Sequence, residues 1–217
     1  MEEWLKKLND EVMLLYHHLD LYKKLSEIIE KNQQLQAMDN TILAWMKRAF
    51  SLDLAVGICR ICDTHPKSAS FVQFLRELKN KTEYLKRERY ISLYPKLDLE
   101  WANRDFDNLA GENKALFPIY KIEADINKIT KEEPFNKIKI FRDKYLAHSD
   151  KVRVKITVKY DEIFNAFEIL QKIIIQYNVL MRATSFTQLT PTMQGYWEEV
   201  FTIPWVQSAK QKNGDPI

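Results

Sequence analysis

The sequence predicts an all-α protein built from long helices, and two observations carry that prediction. Before Ser185, apolar residues recur at alternating steps of three and four along most of the chain. That spacing places them on one side of an α-helix. Only four of the 217 residues are glycine, few for a sheet protein that must turn often. The rest of the composition, 46% apolar and 29% charged, suits one packed globular domain, or one domain with an extension.

Each element follows in order. Leu5, Leu8, Val12, Leu15, Leu19 and Tyr22 form the first stripe, predicting a helix from about Glu3 to Gln36. Asp39 fits the N-cap of the next helix, which carries Ile42, Trp45, Met46, Ala49, Leu52 and Val56. Being apolar over much of its circumference, this helix is expected to be the buried centre. Pro66 breaks the chain, and Ser68 or Ser70 caps a third helix through Phe71, Phe74, Leu75 and Leu78 into the polar run ending near Arg89. After a break at Tyr94-Pro95, a helix is expected from Asp98 through Trp101 and Leu109, interrupted around Gly111 or Pro118. Glu132 to His148 reads as the next helix, with Pro134 tolerated in its first turn.

Val152, Val154, Ile156 and Val158 then alternate with polar residues, the one clear period-two segment. Without a partner strand it is read as a connection. The last long helix carries Ile163, Phe167, Leu170, Ile174, Tyr177 and Met181, a stripe suited to the core or partly to a subunit interface. Beyond Thr184 the composition changes. Pro191, Pro204 and Pro216 are three of the seven prolines, and Trp197, Phe201 and Trp205 lie among them. The expected organisation is a helical domain over 1–184 and a C-terminal extension over 185–217, partly docked through its aromatics and frayed after Ser208.

The net charge of +3 is unevenly spread. From Asn136 to Lys159 eight basic residues face only Asp143 and Asp150, so this window carries +6 and the remainder −3. A local positive field in a near-neutral chain favours an anionic partner such as nucleic acid, although solvated lysines would read the same way. Two cysteines make no disulfide framework, no signal-peptide pattern opens the chain, and no apolar run reaches membrane length. A reducing, cytoplasmic setting without a membrane is the simplest expectation.

The chemistry concentrates in Phe141-Arg142-Asp143-Lys144-Tyr145-Leu146-Ala147-His148-Ser149-Asp150. An arginine, a polar residue, a short spacer and a histidine at a helix end resemble the HEPN superfamily signature. Together with the earlier "ICRICDTHPKSAS", the segment resembles the abortive-infection U-type, AbiU2-like branch over roughly residues 35 to 185. The resemblance implies a HEPN-type helical bundle. It also implies a homodimer whose two motifs face each other across a two-fold axis, RNA as partner, and a growth-arresting toxin or phage-defence role with an antitoxin protein as a further partner. Another HEPN subgroup carries a modifiable tyrosine two residues past the histidine; here that place is Asp150.

The residue types suit metal-independent RNA cleavage. His148 titrates near neutrality and can move a proton at the 2′-hydroxyl or the leaving oxygen. Arg142 supplies a permanent charge that matches phosphate. Asp143 is expected to fix the imidazole tautomer or to hold Arg142. Products would carry a cyclic 2′,3′-phosphate and a 5′-hydroxyl. Lys144, Tyr145, Ser149 and Lys151 are candidate RNA contacts, and so is Arg60 if the end of its helix lies near the motif. One geometric point stands against a single-helix site: positions six apart on an ideal helix point about 120° apart. Either the helix ends near His148, or two copies of the motif meet. The competing reading is that His148 merely terminates a helix, favoured there by the dipole.

Other signals are weaker. Cys59 and Cys62 are expected to be small residues on a buried helix face, since a structural zinc site needs more ligands than they provide. Arg60 and Asp63, three apart, are expected to pair locally. His17 and His18 read as half-exposed structural residues. The run Lys79–Arg89 interleaves basic and aromatic residues and reads as a solvated face or a single-strand track. Neither a metal nor another cofactor is expected, and no phosphate loop or Ser–His–Asp order occurs. A non-catalytic HEPN module binding RNA or a partner protein is the alternative reading.

Overall fold

The computed structural model describes residues 1–32, 41–144 and 158–184, together with Glu199. Eight α-helices and no strand occur among them: α1 (Glu2–Lys31), α2 (Thr41–Ile61), α3 (Phe71–Asn80), α4 (Arg87–Ile91), α5 (Leu99–Ala110), α6 (Ile119–Lys131), α7 (Glu133–Arg142) and α8 (Tyr160–Arg182). The all-α expectation is met. No helix among the described residues is long and apolar enough to cross a membrane.

Side-chain pairs fix how the long helices run. Between α1 and α8, Asn9 and Asn178 exchange amide hydrogen bonds of 2.7 and 2.9 Å. Further along, the Tyr16 hydroxyl donates to the Phe167 carbonyl, and Tyr22 stacks on Tyr160 with centroids 4.6 Å apart. As the α1 number rises the α8 number falls, so these helices are antiparallel. Between α1 and α2, Arg60 pairs with Glu11, His18 with Asp53, and Tyr22 meets Phe50 edge-on. The same inverse order makes α1 and α2 antiparallel too. Gly57 lies midway along this seam, where a Cβ would stand 2.3 Å from Leu15 Cδ2. The absent side chain lets the two helices approach.

The centre of the protein is α8, not α2. Ten residues of α8 are buried, Ile163 to Met181, and it packs against α1, α2, α4, α5, α6 and α7. All the buried positions of α2 fall in its second half, from Leu54 to Ile61, while Trp45 in its first half is 67% exposed. An apolar circumference therefore did not mark burial on all sides here.

The third helix is shorter than expected. Ser70 is the cap, accepting from the Gln73 amide at 3.2 Å, but α3 stops at Asn80 and the chain continues through a 3₁₀ turn (Thr82–Leu85) into the short α4. The polar run is solvated only in part: Lys81 and Lys86 are exposed, and three other cations are engaged. Lys79 pairs with Glu123, Arg87 with Asp107, and Arg89 with Glu2 and the Leu180 and Met181 carbonyls, while Tyr90 is buried. These cations tie the α3–α4 segment to α1, α5, α6 and α8. Gly111, at φ 103°, closes α5 where the expected interruption falls, and α6 begins at Ile119.

The expected first-helix end at Gln36, the Asp39 cap, most of the period-two segment and the 185–217 extension lie outside the described residues, apart from Val158 and Glu199.

A helix-interior glycine is normally improved by alanine by about 1 kcal/mol. At Gly57 the seam should reverse the sign. Gly57→Ala is expected to lower stability by about 1–2 kcal/mol in urea denaturation, because overpacking of a tight core outweighs helix propensity. A gain in stability would mean that Leu15 gives way freely.

Candidate functional site

Two segments far apart in sequence build the site. The first is the end of α2 and the loop that follows it. This loop is closely held: Asp63 Oδ1 accepts from the His65 amide at 3.0 Å, Ser70 Oγ donates to the Asp63 carbonyl at 2.6 Å, and Gln73 and Arg76 both donate to the Thr64 carbonyl. Those bonds satisfy backbone groups at a helix end that would otherwise go unpaired. They also fix where Cys62, Asp63 and Thr64 stand.

The second segment is α7. Pro134 sits in its first turn beside Glu133, and Lys139 and Arg142 occupy its last turn, charges that suit the two ends of the helix dipole. Phe135 and Ile138 are its buried residues, and α7 packs against α2, α6 and α8. Lys137 is clamped between Glu133 and Glu162, 2.7 Å from each. The two carboxylates, Glu133 foremost, hold its ammonium above the ordinary lysine range. This clamp joins α7 to the first turn of α8.

Regular α-helix ends at Arg142, six residues before His148. Asp143 keeps helical backbone angles, φ −65° and ψ −38°, and His148 lies outside the described residues. Asp143 takes up one of its two expected roles: its Oδ1 accepts from Arg142 Nε at 2.7 Å and from Nη2 at 2.5 Å. The guanidinium is tethered along one edge. Among the described residues its Nη1 has no hydrogen-bond partner. Partial burial disfavours its charge, but Asp143, with Cys59 and Asp63 near by, holds the group above its ordinary value.

Between these segments lies a small recess of about 50 Å³, open to solvent. Ile58, Cys59, Ile129 and Phe135 contribute apolar wall, while Asn136, Lys139 and Arg142 bring polar ends from α7. Both cysteines of the chain line it. Burial pushes the Cys59 thiol up to about 11, against the pull of Arg142. Burial also raises the Cys62 thiol, with Cys59 adding to the effect. Cys59 is the expected small residue on a buried helix face, whereas Cys62 is half-buried in the turn just after α2.

A family model described as AbiU2, of the HEPN type, matches residues 1–200. The chain belongs to the HEPN AbiU2 family. The match reaches beyond the 35–185 span suggested by the motif, on both sides, and takes in the start of the C-terminal extension. Comparison with curated proteins and with solved structures returns no match.

For this AbiU2-family chain, the structure brings Arg142 and Asp143 together and places the exposed Lys144 directly after them. Arg60 is near the motif along the chain of α2 but is engaged elsewhere. It pairs with Glu11 of α1 at 3.0 Å, while Asp63 turns back to its own loop, so the expected Arg60–Asp63 pair is not formed. His148, Tyr145, Ser149 and Lys151 lie outside the described residues. Sequence reading missed the recess and with it Asn136 and Lys139. Their signal was present: Asn136, Lys139 and Arg142 recur at steps of three on one helix.

The proximity of Arg142 to Cys59 has a measurable pH consequence. In a Cys62→Ala background, Cys59 alkylation should rise with pH along a curve centred at about 11. Because Arg142 favours the thiolate, Arg142→Ala should move that curve to higher pH and slow alkylation at any fixed pH below it. An unmoved curve would separate Arg142 from the thiol.

Proposed function

We propose that this AbiU2-family protein is a metal-independent endoribonuclease of the HEPN type, a toxin or phage-defence effector acting in the cytoplasm through Arg142 and His148 at a composite dimer site. The carrying observation is Arg142 itself. It is charged, tethered by Asp143 on one edge, and set on the rim of a solvent-open recess close to His148 in sequence. A fixed cation whose Nη1 has no hydrogen-bond partner among the described residues suits phosphoryl oxygens as charge builds on them.

The proposed step is transesterification. The 2′-oxygen attacks phosphorus while its proton passes to a base, and the bond from phosphorus to the 5′-oxygen breaks as that oxygen takes a proton. Two His148 imidazoles, one from each subunit, supply the base and the acid, and Arg142 bears the charge on the non-bridging oxygens. Lys144, Tyr145, Ser149 and Lys151 contribute to RNA binding in this reading.

The assay is labelled RNA incubated with purified protein in excess chelator, beside Arg142→Ala and His148→Ala. Wild type should cleave, and each variant should lose about 10²-fold or more in rate. Unchanged activity in His148→Ala would remove the histidine from the mechanism. Salt-sensitive binding with no turnover by wild type would favour a non-catalytic RNA-binding module.

A further inference from the structure

We propose that the C-terminal extension docks on its own chain, laying Trp197 and Phe201 into an apolar groove on the outer face of α1 and α2. The proposal does not rest on the nuclease reading.

The groove holds about 400 Å³ between Leu21 of α1 and Trp45, Met46, Ala49 and Phe50 of α2, with the His18–Asp53 bridge at one end. Past that bridge the apolar face continues through Leu14 of α1 and Val56 of α2, 55% and 38% exposed. Leu14 and Leu21 are seven apart, as are Ala49 and Val56, so each pair keeps to one side of its helix. An open apolar face of this length calls for a cover.

Three features single out the extension as that cover. The first is its composition. From Ser185 to Ala209 the only charged residues are Glu198 and Glu199, and Tyr196, Trp197, Val200, Phe201 and Trp205 lie around them. Aromatic side chains of this kind bring the largest apolar areas to a contact.

The second is charge. The first half of α2, from Thr41 to Phe50, carries Lys47 and Arg48 and no acid. Neither cation forms an ion pair among the described residues, and Arg48 is exposed, three residues from Trp45 and so its neighbour on the helix surface. The two acids of the extension and the two cations of α2 each stand between apolar residues. One arrangement therefore joins ring to groove and acid to base.

The third is reach. Arg89 donates to both the Glu2 carboxylate and the Met181 carbonyl, so α8 ends beside the start of α1. From Glu2 to Leu21 is about 28 Å along α1 at 1.5 Å per residue. The stretch from Thr184 to Trp197 spans up to about 43 Å when extended. Trp197 thus reaches the groove of its own chain.

The test uses the full chain carrying Trp45→p-benzoylphenylalanine, a photo-reactive aromatic at an exposed position, so its melting should match wild type. After irradiation a denaturing gel separates within-chain from between-chain products, and mass spectrometry maps the cross-links. Within-chain cross-links to residues 196–206 are expected. Trp197→Ala together with Phe201→Ala should cut their yield about tenfold, because buried aromatics dominate such contacts. Arg48→Glu should cut it about threefold, with recovery when Glu198→Arg is added. Cross-links that fall only elsewhere in the chain, or the absence of any, overturn the proposal. Products found only at dimer mass also overturn it and give the groove to a second copy. A yield that neither the aromatic nor the charge changes lower overturns it as well.

Discussion

The site depends on the crossing of α7 over the end of α2. Phe135 and Ile138 on one helix and Ile58 and Ile61 on the other are all buried, and this contact decides where the last turn of α7 points. Burial of such side chains is worth roughly 1.5–3 kcal/mol each, more than any single surface ion pair contributes. The polar devices then refine what the apolar contact sets. Lys137 ties α7 to α8, the Ser70 and Gln73 bonds steady the loop after α2, and Asp143 holds the Arg142 guanidinium. A cation whose orientation is fixed by its surroundings need not reorganise when negative charge develops beside it.

The antiparallel set of α1, α2 and α8 supplies the frame. Gly57 allows α1 and α2 to close on each other, and the reciprocal Asn9–Asn178 amides satisfy two buried polar side chains with each other. Such a pair holds the register between α1 and α8, because a shift would leave each amide buried and unpaired. The far end of α2, away from the recess, keeps Trp45 and its neighbours at the surface. One helix thus presents a recess beside Arg142 at one end and an apolar groove at the other.

Local periodicity made the helices legible, and local chemistry made some of their ends legible. Ser70 and Gly111 mark ends through capping and positive φ, both properties of single residues. Two readings fell short because they needed tertiary information. The apolar girth of α2 suggested a central helix, but which helix is surrounded depends on what packs around it, and that is α8. In the run Lys79–Arg89 the solvated reading holds for Lys81 and Lys86, but Lys79, Arg87 and Arg89 pair with Glu123, Asp107 and Glu2 from distant parts of the chain. The same holds at the site. Arg142 and Asp143 were legible as neighbours within a motif, whereas the recess joins residues 58–64 to residues 129–142, and no local pattern announces that meeting. Arg60 was drawn to the site by its position in sequence, yet its side chain leaves α2 toward Glu11.

In the proposed chemistry a 2′-hydroxyl attacks under the charge of Arg142. The most direct measurement is the mass of the products from a defined RNA and from the same RNA with a single 2′-deoxynucleotide placed at the cut. Attack by the 2′-oxygen leaves fragments ending in a 2′,3′-cyclic phosphate and beginning with a 5′-hydroxyl, and no cleavage at the deoxy position. Products bearing a 5′-phosphate, or continued cutting at the deoxy position, would contradict it, because water rather than the 2′-oxygen would then be the nucleophile.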